Sequence, residues 1–210
     1  MLAQQLLLDN RETDLQDLMV SVVGINEIRD YAITKHADQL YGDKPYIFHL
    51  DDVSVTAFKA MQLAGVDLET MLVVLKATYT HDVLEDTQTS EGELESVIGS
   101  SVLAVKFASK DPSHSRKAAL IALIAKTHAL NLNDSLEDLA GLIVKMSDGL
   151  ANRIRSGIGS EMSSPRLYKT YKSELTKLLP AYESLQDRAF IDSKLKFAYF
   201  SLLSALALHK

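Results

Sequence analysis

The sequence contains no cysteine, which excludes disulfide bonds, thiolate metal sites and cysteine nucleophiles. Glycine and proline are scarce, with 9 and 4 residues, and this scarcity favours helices over a turn-rich β fold. No apolar run reaches the roughly 18–20 residues that a membrane-spanning helix requires. The first residues include an apolar stretch, but no basic region precedes it and no small-residue cleavage site follows it. We therefore predict no secretory signal peptide, and the expected location is the cytoplasm.

Length and charge narrow the class of protein further. The chain has 210 residues, of which 47% are hydrophobic, so it can bury a sizeable core as one domain. Its formal net charge of −6 argues against a nucleic-acid backbone as the main partner. A local basic pocket can still hold a small anion. We expect a small-molecule partner, with no nucleic acid and no membrane.

Apolar residues recur at helical spacing through most of the chain, and no segment of any length alternates as a strand does. The predicted fold class is all-α, a single globular bundle of about nine to eleven helices. Residues 1–24 are expected to form a helical extension packed on the core, and residues 25–210 the main domain. Asp67 and Ser90 are the predicted N-caps of two helices. The main-domain helices are expected at about 25–40, 49–64, 68–80, 90–98, 101–110, 116–131, 135–154, 166–185 and 188–208.

The stretch Thr80–Thr87 puts one histidine and three carboxylates at the end of an apolar helix. A buried helix end does not tolerate that much charge unless a metal ion or a reaction compensates it. Two further polar residues, His49 and Asp148, also lie between apolar neighbours. Each of these signals is weak alone, since a single histidine in an apolar segment is more often a core residue than a ligand. Their joint occurrence predicts a metal site made of His49, His81, Asp82 and Asp148.

The predicted ligands combine imidazole nitrogens with carboxylate oxygens, a set that suits Mn, Fe or Zn better than Ca or Mg. Glu85 and Asp86 follow the His-Asp pair by four residues, so a continuous helix would hold them over a metal-bound water. Asn152 follows Asp148 by four residues and shares its helix face, where its amide can reach a substrate oxygen.

Three segments carry a resemblance to a known family. Pro45–His49, His81–Thr87 and Val144–Asn152 resemble the patterns P-Y-I-x-H, H-D-x-x-E-D-T and K-L-A-D-x-L-x-N. In this order they resemble the HD superfamily of metal-dependent phosphohydrolases. Within it they are similar to the guanosine tetraphosphate (ppGpp) hydrolases, which comprise the hydrolase domain of the Rel/Spo stringent-response enzymes and the small alarmone hydrolases. The resemblance covers about residues 25–175.

The resemblance implies a Mn²⁺ ion on the four predicted ligands, with Glu85 and Asp86 orienting and activating a metal-bound water. It implies attack on the 3′-pyrophosphate of guanosine tetra- or pentaphosphate, which releases pyrophosphate. Asn152 would then contact the ribose or guanosine part. The family's other substrate contacts are matched only approximately, by Arg153, Arg166 and Tyr171.

Several basic positions of the family pattern are not basic in this chain, where Leu40, Tyr41, Gly149 and Ile154 occupy them. Phosphate recognition depends on Arg and Lys, so two alternatives stay open. The same site can serve as a phosphatase or nucleotidase on another nucleotide, or the chain can be a metal-binding regulatory module without turnover. The Glu85-Asp86 pair speaks against the module. The apolar faces of the last helices allow a homodimer, and burial in the core explains them equally well.

Overall fold

The computed structural model of this chain describes residues 10–157, 160 and 162–209. Over these residues the chain is a helical bundle with one very short hairpin, so the all-α prediction is confirmed. The part of the predicted N-terminal helix before residue 10 lies outside the described residues. The helices are α1 (Arg11–Ser21), α2 (Ile25–His36), α3 (Ile47–Ala64), α4 (Leu68–Thr80), α5 (Val83–Asp86), α6 (Glu91–Ile98), α7 (Ser101–Ala108), α8 (Arg116–Ala129), α9 (Leu136–Arg155), α10 (Pro165–Glu183) and α11 (Ser193–Leu208).

Side-chain caps set most of the helix starts. Asp67 accepts a hydrogen bond from the backbone N–H of Thr70 at 2.9 Å, and Ser90 accepts one from Glu93 at 3.2 Å. Both predicted N-caps are therefore confirmed, and each satisfies a backbone donor that the first helical turn leaves open. The same role falls to the residues that precede α8, α9, α10 and α11, namely Ser115, Ser135, Ser164 and Asp192.

One short hairpin interrupts the helical pattern. Strand β1 (Leu40–Tyr41) pairs antiparallel with β2 (Lys44–Pro45) across a turn at Gly42, whose φ of +66° suits glycine. The hairpin ends α2 at His36, four residues before the predicted end, because β pairing takes the backbone of Leu40 and Tyr41. Two-residue strands are too short to show alternation in the sequence.

Helix α9 lies at the centre of the bundle and packs against α3, α4, α7, α10 and α11. Its buried side chains include the apolar residues predicted to face the core, among them Leu139, Leu142 and Met146. Gly141 brings α7 close, since a Cβ at this position would lie 2.9 Å from the Cβ of Phe107. This close approach fixes the distance between α7 and α9.

Gly141→Ala is expected to lower the free energy of unfolding by about 1–2 kcal/mol, because the added methyl group collides with Phe107 and overpacks the contact. The matched control is Gly149→Ala on the same helix, where a Cβ meets nothing within 4 Å. That variant is expected to gain up to about 1 kcal/mol from helix propensity. Urea unfolding followed by circular dichroism measures both, and equal effects of the two changes would contradict the packing argument.

The described part of the N-terminal extension is held on the core. Leu18 of α1 is fully buried, and Asp14 pairs with Lys59 of α3 at 2.8 Å. Arg11 reaches Asp52 of α3. Within the described ranges, no helix has both the length and the apolar character that crossing a membrane demands.

Candidate metal centre and cavity

Four side chains from three helical regions meet at one point. His49 lies in the first turn of α3, His81 and Asp82 connect α4 to α5, and Asp148 lies in α9. His49 Nε2 is 3.5 Å from Asp148 Oδ1 and 3.7 Å from Asp82 Oδ2. His81 Nε2 is 3.0 Å from Asp82 Oδ2 and 4.0 Å from Asp148 Oδ1. The structure therefore brings together all four side chains that the sequence singles out as ligands.

Donor chemistry and spacing fit a metal ion. Ligand atoms of His49, His81 and Asp148 all lie within 4.8 Å of one another, and the three residues are buried. Asp82 adds a second carboxylate beside both imidazoles. Two nitrogens and two carboxylate oxygens suit a divalent transition metal. These residues can hold such an ion.

Hydrogen bonds around the four residues orient them. His81 Nδ1 lies 2.8 Å from the carbonyl oxygen of Thr78, and if Nδ1 carries the proton it donates there and Nε2 keeps its lone pair for the site. The hydroxyl of Tyr46 donates to Asp82 Oδ2 at 2.5 Å. On the other side, the amide of Asn152 donates to Asp148 Oδ1 at 2.5 Å. Such second contacts hold ligands in one orientation and raise metal affinity.

The electrostatics of the cluster keep its carboxylates ionised. Burial disfavours the charged form of every member and lowers the pKa of His49. Burial also opposes the charged form of His81, but Asp82 and Asp148 together raise its pKa to about 9. Burial opposes ionisation of Asp148 as well, but Lys145 and His81 hold the pKa of this carboxyl below its usual value. The carboxylates thus stay ionised at neutral pH, and the cluster holds positive charge beside them.

The cluster opens into a cavity of about 750 Å³, within the range of small-molecule sites. Glu85, Lys145 and Asn152 line it near the cluster, and Tyr41 and Tyr171 line it as well. The remaining wall comes mainly from α7, α8, α10 and the loop between α7 and α8. The candidate metal site therefore adjoins a cavity and is not a closed structural site.

Comparison with known proteins adds one finding. No protein-family model matches the chain, and no curated protein matches its sequence. A solved structure does match, with a TM-score of 0.63 over 87% of this chain and 94% of the other, at 21% identity. It is described as a metazoan ortholog of SpoT that hydrolyzes ppGpp and plays a role in starvation responses. This chain shares its fold. The resemblance noted in the sequence is thereby confirmed at the level of the fold.

Glu85 and Asp86 point in different directions. Glu85 lines the cavity, and its carboxylate accepts the backbone N–H of Lys110 and pairs with the ammonium of the same residue, both at 2.6 Å. Asp86 is exposed and accepts a hydrogen bond from Gln39 at 2.9 Å. Both residues lie on α5, and consecutive residues of a helix project about 100° apart, so the two carboxylates separate. The continuous helix assumed from the sequence is interrupted at His81 and Asp82, between α4 and α5.

Of the four predicted substrate contacts, two line the cavity and two do not. Asn152 and Tyr171 line the cavity. Arg166 is exposed near the start of α10 and is not among the lining residues. Arg153 is buried elsewhere, where its guanidinium donates to the carbonyl of His209 at 2.8 Å and lies 3.5 Å from the centre of the Tyr168 ring. The structure does not bring Arg153 or Arg166 into the cavity.

Other residues at the site were not singled out from the sequence. Lys145 pairs with Asp148 Oδ2 at 3.0 Å, and their three-residue spacing on one helix was the signal that could have indicated it. Burial opposes the charge of Lys145, but Asp148, Asp82 and Glu85 together raise its pKa, so this side chain stays charged. Tyr41, which stands at a usually basic position, stacks on His49 with the ring centres 4.7 Å apart and donates to Asn152 at 2.9 Å. Lys110, Arg116 and Lys126 complete the set of cations that line the cavity.

Proposed function

We propose that this chain is a metal-dependent phosphohydrolase that removes the 3′-pyrophosphate of guanosine tetra- or pentaphosphate. One observation carries the proposal: a cluster of two histidines and two aspartates stands at the end of a cavity that also contains Glu85. The shared fold with a protein described as hydrolyzing ppGpp supports the substrate. The reaction adds water to phosphorus, breaks the bond to the 3′ oxygen and releases pyrophosphate.

The proposed metal is Mn²⁺, held by His49, His81, Asp82 and Asp148, because the mixed nitrogen and oxygen donors suit it. When bound, such an ion supplies a Lewis acid that polarises a phosphoryl oxygen and makes a water molecule more acidic. The phosphate to be cleaved would lie at this end of the cavity.

The chain's own residues supply the rest of the proposed chemistry. Glu85 is the proposed proton acceptor for the attacking water, since its carboxylate lines the cavity and the contacts with Lys110 fix its orientation. Lys145 carries positive charge beside Asp148 and would stabilise the negative charge that develops on the phosphoryl oxygens. Asn152 and Tyr171 would contact the organic part of the substrate.

The proposed role of Asp86 is to help position the metal ligand Asp82 through a chain of contacts. It binds Gln39, which is 2.8 Å from His36 Nδ1, and the His36 ring stacks on Tyr46 at 4.4 Å. Since Tyr46 donates to the ligand Asp82, this chain of contacts links Asp86 to the proposed metal centre. His36 thus serves packing and hydrogen bonding.

A product assay tests the proposal. The Mn²⁺-loaded protein is incubated with guanosine tetraphosphate, with nucleoside mono-, di- and triphosphates and with NADPH, and Asp82→Ala serves as the blank. Release of pyrophosphate from the tetraphosphate alone is the expected result. Phosphate released from another nucleotide, with the tetraphosphate untouched, would move the same chemistry to a different substrate. No turnover with metal still bound would make the chain a binding module.

One observation favours hydrolysis of a nucleotide other than guanosine tetraphosphate. Three cations that line the cavity already have carboxylate partners: Lys145 pairs with Asp148, Lys110 with Glu85, and Arg116 with Glu174. A substrate with four or five phosphates needs more unpaired positive charge than this arrangement offers. A phosphatase or nucleotidase that acts on a substrate with fewer phosphates is therefore the second candidate.

Glu85→Gln is expected to keep the metal and lower kcat by about 10²- to 10⁴-fold, because the amide retains the shape of the side chain but takes no proton. Glu91→Gln is the matched control, since Glu91 forms a similar pair with Lys106 at 2.7 Å on the surface. Metal content and kcat are measured for both variants. An unchanged kcat in Glu85→Gln would exclude Glu85 as the proton acceptor.

A further inference from the structure

The two ends of the cavity differ in chemistry. One end holds the metal ligands, Glu85 and Lys145. The other end, called the apolar end below, is formed by α7, α8 and α10. Most of its side chains are apolar, including Phe107, Leu120, Leu123, Leu175 and Leu178, and Arg116, Lys126 and Glu174 also line it. The apolar wall is continuous with the proposed metal centre, so one ligand can contact both ends.

Helix α8 shows how open the apolar end is. Its sequence between Ala118 and Ala125 is entirely apolar, yet the one fully buried residue of this helix is Thr127. Leu120 and Leu123 are half-buried and face the cavity, whereas Ile121 is 59% exposed on the outer side. The apolar face of α8 therefore covers the cavity and does not pack into the core. An apolar group that entered would remove this face from water, which is favourable by about 25 cal/mol per Å².

The charges at this end of the cavity do not suit a second cluster of phosphates. Arg116 is paired with Glu174 at 2.5 Å, and the ammonium of Lys126 lies 3.2 Å from the carbonyl oxygen of Ser109. Burial lowers the pKa of Lys126, and Lys145 lowers it further. A highly charged anionic group would lose its hydration here and would find few cations that are not already paired or hydrogen-bonded.

We propose that the apolar end binds the aromatic or alkyl body of an organic phosphate, while the phosphate group of the same molecule lies at the metal centre. This inference rests on the proposed function, which supplies the phosphate end. It names the substrate class as phosphate esters with an apolar face, such as the flat face of an aromatic ring. Sugar phosphates, glycerol phosphate and inorganic pyrophosphate fall outside this class.

The test compares two positions on one helix. Leu123→Asn places a polar amide in the apolar wall, and Ile121→Asn makes the same change on the exposed side of α8. The Mn²⁺-loaded proteins are assayed with 1-naphthyl phosphate and with glycerol phosphate. We expect Leu123→Asn to raise KM for 1-naphthyl phosphate about tenfold, with kcat and the glycerol phosphate kinetics nearly unchanged. Ile121→Asn is expected to leave every constant as in the wild type.

A binding measurement separates this inference from the proposed function. Fluorescence titration of 1-naphthyl phosphate into the metal-free proteins is expected to show weaker binding for Leu123→Asn than for Ile121→Asn. If that holds while no phosphate ester is hydrolysed, the apolar subsite stands and the hydrolase proposal fails. Leu123→Ala provides a milder change, expected to weaken binding about threefold, if the asparagine variant does not fold. Equal binding by all variants, or equal use of glycerol phosphate and 1-naphthyl phosphate by the wild type, would overturn the inference.

Discussion

Asp82→Ala is expected to remove the bound metal and the hydrolytic activity together. Asp82 lies beside both imidazoles, with Oδ2 3.0 Å from His81 Nε2 and 3.7 Å from His49 Nε2. Loss of an outer contact to a metal ligand typically costs 10- to 100-fold in affinity, and loss of a ligand itself is expected to cost more. Metal content after gel filtration and the rate of phosphate or pyrophosphate release measure the two effects on one preparation.

Two further variants serve as an intermediate case and as a neutral control for Asp82→Ala. Tyr46→Phe removes only the hydroxyl that donates to Asp82, so its affinity for metal is expected to fall by about 10- to 100-fold. Asp187→Ala removes an exposed aspartate in the loop before α11 and is expected to change nothing. Circular dichroism checks that each variant is folded. Full activity of Asp82→Ala without metal would exclude the cluster as the reactive centre.

The metal cluster could be predicted from the sequence because its members carry local signals. His49, His81, Asp82 and Asp148 are polar residues in apolar segments, and burial of such residues requires compensation. The spacing of residues along a helix also predicts which side chains share a face with the ligands. Asn152 follows Asp148 by four residues and lies on the same face, whereas Arg153 follows it by five and points to the other side of α9, toward His209.

The rest of the site depends on contacts that no local pattern contains. Glu85 and Asp86 look equivalent in the sequence, but as consecutive residues of α5 they project in different directions, and the packing of this short helix decides that Glu85 faces the cavity and Asp86 the surface. Arg116 lines the cavity, but Glu174, which is 58 residues away in the sequence, pairs with it. The charge available to a substrate is therefore set by tertiary pairing, which the sequence alone does not show.

A buried ionic network lies next to the proposed metal centre. The sequence analysis did not indicate it. Asp51 and Asp52 follow His49 on α3 and are 2% and 0% exposed. Asp51 accepts two hydrogen bonds from Arg29 of α2, at 2.8 and 2.9 Å, and one from Tyr79 of α4 at 3.2 Å. Since Tyr79 lies two residues before His81, Asp51 connects two of the segments that carry predicted ligands.

Asp52 makes the second set of connections. Arg155 at the end of α9 binds both of its oxygens, at 2.6 and 2.9 Å, and Arg11 of α1 binds one at 2.6 Å. Both guanidinium groups also lie over the ring of Phe48, 4.8 and 4.1 Å from its centre. Asp52 thus links α3, which carries His49, to α9, which carries Asp148, and it links α1 to both.

Asp52→Asn is expected to lower the free energy of unfolding by about 3–5 kcal/mol, because it leaves Arg155 without its buried counterion and leaves Arg11 with only Asp51 and Glu12. Glu93→Gln is the matched control, since Glu93 pairs with Lys35 at a partly exposed site and such pairs contribute at most about 1 kcal/mol. Urea unfolding of the metal-free proteins measures the difference. If Asp52 also holds α3 and α9 in register, the folded variant will bind metal more weakly than wild type, although none of the proposed ligands has changed. A loss of stability like that of Glu93→Gln, with unchanged metal affinity, would show that the network neither stabilises the bundle nor positions the ligands.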